Sequence, residues 1–238
     1  MIEPLADGLS PMLLAHHPER ITALRTPSPE DPWRVLVSGC LAGLSCGVDG
    51  TDYGMGGALA AWRSLPSVAL SPFCPEDHGL GTPRTMPDIH GGDGFDVIDG
   101  SARVLDENGV DLTEGMLRGA RAMVEHARRA RAELAILTDM SAACGSQVIS
   151  DGCRFVEPRR YQEGVGVAAA MLLRAGFDVV SPRDYATLGM LRARIDPGFV
   201  IDPAARDHHE HPWVMEHRGG PLFAGARIRA RGRAERPS

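Results

Sequence analysis

Arg34-Val-Leu-Val-Ser38, halted at once by Gly39-Cys40, is the stretch whose reading decides the fold. A short apolar, β-branched run without polar alternation is the pattern of a strand buried on both faces, as strands of a parallel sheet are. Working outward, Ser67-Val-Ala-Leu-Ser71 ahead of Pro72-Phe73-Cys74 repeats it, as do Glu133-Leu-Ala-Ile-Leu-Thr138 and Phe177-Asp-Val-Val180. Between these runs the period changes to that of a helix. Residues 55–65 carry Ala, Leu and Trp at helical spacing, and 113–131 show a stripe of Met116, Leu117, Ala120, Met123, Val124 and Ala127. Thr113 is the predicted N-cap of that helix, and Arg128, Arg129 and Arg131 suit its C-terminal end. A further helix is predicted at about 164–175. Strands alternating with helices predict an α/β fold: an open, mostly parallel, Rossmann-like sheet with helices on both faces.

The remainder reads less regularly. Residues 75–100 are rich in Gly, Pro, Asp and His and suggest a functional loop or lid. Phe95–Ile98 and Ala102–Leu105 around Asp99-Gly100-Ser101 suggest a small hairpin. Residues 1–30, ending in Thr26-Pro-Ser-Pro-Glu-Asp-Pro32, read as an N-terminal extension, 31–196 as the α/β domain, and 197–238 as a C-terminal extension with a flexible Arg-rich tail.

Composition narrows the function. An apolar fraction of 43% rules out a disordered chain. No stretch reaches the roughly 18 consecutive apolar residues of a membrane span. Met1-Ile-Glu-Pro-Leu-Ala-Asp7 has neither a basic start nor an apolar core, so a cytoplasmic protein without a secretory leader is expected. All 25 basic residues are arginine, which removes Schiff-base, P-loop and catalytic lysine chemistry. The net charge of -6 argues against DNA and does not favour tRNA as a partner.

Five cysteines, Cys40, Cys46, Cys74, Cys144 and Cys153, are an odd number without a secretory context, so buried thiols, a nucleophile or metal ligands are expected rather than disulfides. Cys40, Cys74 and Cys144 each follow a predicted core strand. The carboxyl ends of parallel strands line one crevice, so the topology brings these three distant residues to one mouth. Three thiolates there favour a soft metal or an iron–sulfur cluster over a single nucleophile. His208, His209, His211 and His217 match no defined zinc-module spacing.

The ordered series Val37-Ser-Gly-Cys40-Leu-Ala-Gly43 with Asp49-Gly50, Cys74-Pro-Glu76 with Gly79-Leu80 and Thr82-Pro-Arg84, Asp111-Leu-Thr-Glu-Gly115, Ser141-Ala-Ala-Cys144-Gly-Ser146 and Glu163-Gly-Val165 resembles the bacterial thiouracil desulfidase family over about residues 34–182. The resemblance implies a 4Fe-4S cluster held by Cys40, Cys74 and Cys144, with one iron left open for the sulfur of a thiolated pyrimidine. It implies an enzyme that exchanges that sulfur for oxygen and releases sulfide, acting on a small-molecule base or nucleoside. On motif position, Glu76 and Ser141 are the expected catalytic pair, and Asp49, Arg84 and Ser146 the expected substrate-binding residues. The chain departs from the family at Gly47-Val48, where a basic–aromatic pair is usual, and at Ala142, where proline is usual. The alternative is a non-catalytic iron–sulfur or zinc protein in which Cys46 is a fourth ligand.

Overall fold

A computed structural model describes residues 13–217 together with 223–224. Its strands are β1 (Trp33–Ser38), β2 (Val68–Phe73), β3 (Asp88–His90), β4 (Arg103–Leu105), β5 (Leu134–Ile136), β6 (Val148–Ser150), β7 (Tyr161–Glu163), β8 (Asp178–Val180) and β9 (Phe223–Ala224). Its α-helices are α1 (Pro18–Ala23), α2 (Ala60–Arg63), α3 (Pro75–Leu80), α4 (Gly94–Ile98), α5 (Thr113–Arg129), α6 (Val167–Arg174), α7 (Tyr185–Ala193) and α8 (Pro212–His217).

The four apolar runs form one sheet in the order β2-β1-β5-β8, every pair parallel. Because side chains alternate across a strand, β1 feeds two cores. Trp33, Val35 and Val37 join Leu41 and Trp62 on one face, while Leu36 joins Ala135, Val179 and the buried stripes of α5 and α6 on the other. This is the predicted α/β architecture, with its apolar residues committed to both faces.

Local chemistry revises several elements. The predicted hairpin at 95–105 is instead helix α4 followed by β4, whose partner is β3 in antiparallel register. The reason is a capping box: the Asp93 carboxylate accepts from the amides of Phe95 and Asp96, and Asp96 returns a bond to the Asp93 amide. Residues 75–100 are therefore α3, β3 and α4 rather than one irregular lid. The helix predicted at 55–65 shortens to α2. Thr113 opens α5 but does not cap it: Asp111 accepts its amide, and the Thr113 hydroxyl accepts the Val104 amide.

The N-terminal segment is not an appendage from residue 13 onward. Leu14 and Ile21 are buried in the core, Leu13 bridges to Val179 beside β8, and Arg20 pairs with Asp178 at 2.9 Å. At the other end Asp207, His208 and Val214 are also buried. The Arg-rich tail, 227–236, lies outside the described residues. No helix among them is long and apolar enough to cross a membrane.

α3 is seated on α5 more closely than side chains would allow. A Cβ on Gly119 would lie 1.9 Å from the Pro75 carbonyl oxygen, and one on Gly79 2.0 Å from that of Gly115. These glycines set the position of α3, which carries Glu76.

Candidate active site

β2, β1 and β5 are neighbours, so their carboxyl ends open on one crevice, and each contributes a cysteine to it. Cys40 sits in the 3-10 turn Gly39–Ala42 directly after β1. Cys74 follows β2 and caps α3, its sulfur accepting the Asp77 amide at 3.4 Å. Cys144 lies on the loop after β5, in a turn held by the Ser141 hydroxyl, which accepts the amides of Ala143 at 3.1 Å and Cys144 at 3.0 Å. All three line a cavity of about 350 Å³, together with Cys46, Glu76, Arg84 and Ser141.

Cys46 is the least expected member. Its thiol is close enough to Cys40 and Cys74 to perturb both, and a Cβ on Gly39 would approach its sulfur to 3.1 Å and the Cys74 Cβ to 3.3 Å. Glycine at 39 is thus what lets the thiols crowd together. The neighbouring Cys46 thiol draws Cys40 down to about 7, against the opposing effect of burial and with help from Thr138, whose hydroxyl is 3.0 Å from the sulfur. Cys74 is lowered for the same first reason, while Cys46 is itself raised by the proximity of those two thiols. Burial pushes the Cys144 thiol well above its ordinary value. Two of the sulfurs are therefore predisposed to the thiolate form in which cysteine binds metal.

Glu76 and Arg84 form a pair at 2.6 Å, with side-chain exposures of only 13% and 5%. The other Glu76 oxygen, Oε1, accepts the Ser141 hydroxyl at 2.9 Å. Arg84 also binds the chain: its Nη1 donates to the carbonyls of Cys46 at 2.9 Å and Gly81 at 3.1 Å and to Thr82 Oγ1 at 3.0 Å, while its buried Nε has no partner among the described residues. It lines the cavity and at the same time braces the Cys46 loop against α3 and Glu76.

Two of the other expected substrate-binding residues stand apart. Asp49 is exposed, its carboxylate accepts the amide and hydroxyl of Thr51, and it does not line the cavity. Ser146 is fully buried, its hydroxyl has no partner, and it is likewise absent from the wall. Met86 also lines the wall, and residues that sequence reasoning missed complete it, notably Tyr53, Met55 and Met140. Tyr53 and Met140 both hold left-handed backbone, at φ 55° and 59°, an uncommon state for non-glycine residues and one that gathers at functional sites. No local pattern marks either for that role. Among the described residues, no three His, Cys, Asp or Glu side chains are grouped closely enough to chelate one metal ion.

Residues 35–184 match the family model described as 2-thiouracil desulfurase. The uncharacterized protein YbbK of Bacillus subtilis (strain 168) is 34% identical over 152 residues, which is 63% of this chain and 96% of YbbK. A solved structure of a [4Fe-4S]-dependent thiouracil desulfidase, TudS, is 30% identical, covering 63% of this chain and 90% of that one with a TM-score of 0.49. The matched span begins within β1 and ends just beyond β8, and it contains every cysteine and carboxylate of the cavity described above.

Proposed function

This chain belongs to the 2-thiouracil desulfurase family, and we propose that it replaces the sulfur of a thiolated pyrimidine, as thiouracil or thiouridine, by oxygen with release of sulfide. The observation that carries this reading is that three strand-end thiols share one cavity with a carboxylate–hydroxyl pair, Glu76 and Ser141.

The donor set fits a 4Fe-4S cluster. Its thiols are all sulfur donors gathered on one cavity, which suits iron–sulfur chemistry. Cys40, Cys74 and Cys144 would hold the cluster, and when bound it supplies a Lewis-acidic iron with no protein ligand. Glu76 takes a proton from the attacking water through Oε1 and returns one to the departing sulfur, so water enters, hydrogen sulfide leaves and no electron is transferred. Ser141 orients Oε1, and Arg84 holds the opposite oxygen so that the carboxylate cannot rotate away. Tyr53 and the methionines give the flat ring a largely apolar wall.

The test is sulfide release from 2-thiouracil, 4-thiouracil and thiouridine by protein purified and reconstituted without oxygen, alongside iron and acid-labile sulfide content. Alanine at Cys40, Cys74 or Cys144 is expected to remove both cluster and activity. Cys46→Ser distinguishes the alternative of a closed site. Retained cluster and activity support three ligands, whereas lost cluster supports Cys46 as the fourth. Protein that stays iron-free and colourless after reconstitution would sink the desulfidase reading.

A further inference from the structure

The loop between β5 and β6 carries Thr138, Ser141 and Cys144, so the precision of the site depends on what holds this loop in place. Its anchor is Asp139, whose side chain is fully buried. One carboxylate oxygen, Oδ1, accepts the amides of Met140 at 2.9 Å and Ser146 at 3.2 Å, closing the two ends of the turn around Cys144. The other, Oδ2, is bound by Nδ1 of His208, itself only 3% exposed. Burial alone would raise the Asp139 carboxyl, yet its contact with His208 and the amides of Met140 and Ser146 together outweigh it and the net displacement is downward.

His208 lies beyond the family-matched span, which ends at residue 184. The segment that delivers it is fastened twice more. The His208 amide donates to Asp184 Oδ1 at 3.0 Å, an oxygen that also takes the Gln147 side-chain amide at 2.6 Å. Its neighbour Asp207 accepts the amide and hydroxyl of Thr187 at 2.9 and 2.8 Å. A C-terminal segment is thus threaded into the base of the loop rather than laid on the surface.

We propose that His208 is a positioning residue: by holding Asp139 from outside the family-matched domain, it fixes the loop that presents Thr138, Ser141 and Cys144 to the cavity. A partner that hydrogen-bonds one oxygen of a buried carboxylate while leaving the second free to close a turn can do so only from a fixed ring position, as ligand-supporting histidines and carboxylates do at metal centres. The kinetic arm of the test rests on the desulfidase reading; the others do not.

In the unmutated, cluster-free protein, hydrogen exchange is expected to show the amides of Met140, Ser146 and His208 opening as one unit. Exchange of Met140 and Ser146 roughly a hundredfold faster than His208 would overturn the proposal. In the same form, alkylation by iodoacetamide read by peptide mass spectrometry is expected to be about tenfold faster at Cys144 in His208→Leu, with Cys74 unchanged and most of the protection regained in His208→Asn. Ile21→Ala, in the opposite core, controls for general loosening. Equal acceleration at Cys144 and Cys74, or the same pattern in Ile21→Ala, overturns it. With cluster restored, His208→Leu is expected to lower kcat about tenfold while KM moves little. If His208→Leu does not fold, the exchange pattern of the unmutated protein decides alone. If no thiopyrimidine is turned over by the parent protein, the desulfidase reading fails while the exchange and alkylation results still stand or fall for His208.

Discussion

The Ser141 hydroxyl donates to Glu76 Oε1 across 2.9 Å although the two residues are 65 positions apart, one on the loop after β5 and the other in the first turn of α3. The same hydroxyl accepts the Cys144 amide, so the acid–base group and the third thiol are joined through a single oxygen. Glu76→Gln keeps the shape and removes the proton acceptor. Its expected effect is a loss of roughly 10²–10⁴ in kcat for sulfide release with iron content unchanged. Ser141→Ala removes a hydrogen bond to a charged group and is expected to cost about 1.5–3 kcal/mol of that step, or roughly ten- to hundredfold in rate. An unchanged rate in Glu76→Gln would show that the proton travels by another route.

Arg84 and Glu76 form a nearly buried pair in which each depends on the other. Removing one partner leaves an uncompensated charge, so Arg84→Met is expected to lower unfolding free energy by about 3–5 kcal/mol in urea denaturation. Lysine is not expected to rescue it, because one ammonium cannot replace a fork that bonds the carbonyls of Cys46 and Gly81 and the Glu76 carboxylate together. A stable Arg84→Lys protein with full activity would refute the role of the brace.

Gly39→Ala tests the crowding of the thiols. The new methyl would meet Cys46 Sγ and Leu44 Cδ1 at 3.1 Å, and relief requires the Cys46 loop to move outward. Reduced iron per chain after reconstitution is expected, with far-ultraviolet circular dichroism unchanged. Full loading would mean that the loop yields without disturbing Cys40 or Cys74.

Asp184 gives the stability a pH signature. Burial is the chief cause that lifts its carboxyl from 3.8 to about 6, against its bonds from the amides of His208 and Ser181 and from Gln147. The folded state then binds a proton more tightly than the unfolded one, so this group's contribution falls as pH rises from about 4 to about 6 and is constant above that. The span corresponds to about 3 kcal/mol. Comparing denaturation of the parent protein and Asp184→Asn across that range isolates it. The parent curve is expected to fall more steeply than that of the variant, and parallel curves would count against it.

What the sequence determined by itself is what adjacent residues can encode. Unbroken apolar runs such as 34–38 and 133–138 have only a doubly covered parallel strand to become, and the rule that ligands gather at the carboxyl ends of such strands then placed Cys40, Cys74 and Cys144 at one mouth. Even some local chemistry escaped: Asp93 and Asp96 cap α4, yet Phe95-Asp-Val-Ile98 reads as a strand because β-propensity and a short cap compete over too few residues to decide. What only the tertiary structure decided are the partners of side chains. Arg84 bracing Glu76 and the Cys46 loop, Asp49 turned to solvent, Cys46 set beside the expected ligands on one cavity, and His208 brought to Asp139 across 69 positions all follow from strand order and from which loops meet above it. A hydrogen bond is satisfied by whichever group arrives within about 3 Å, and spacing along the chain carries no record of that.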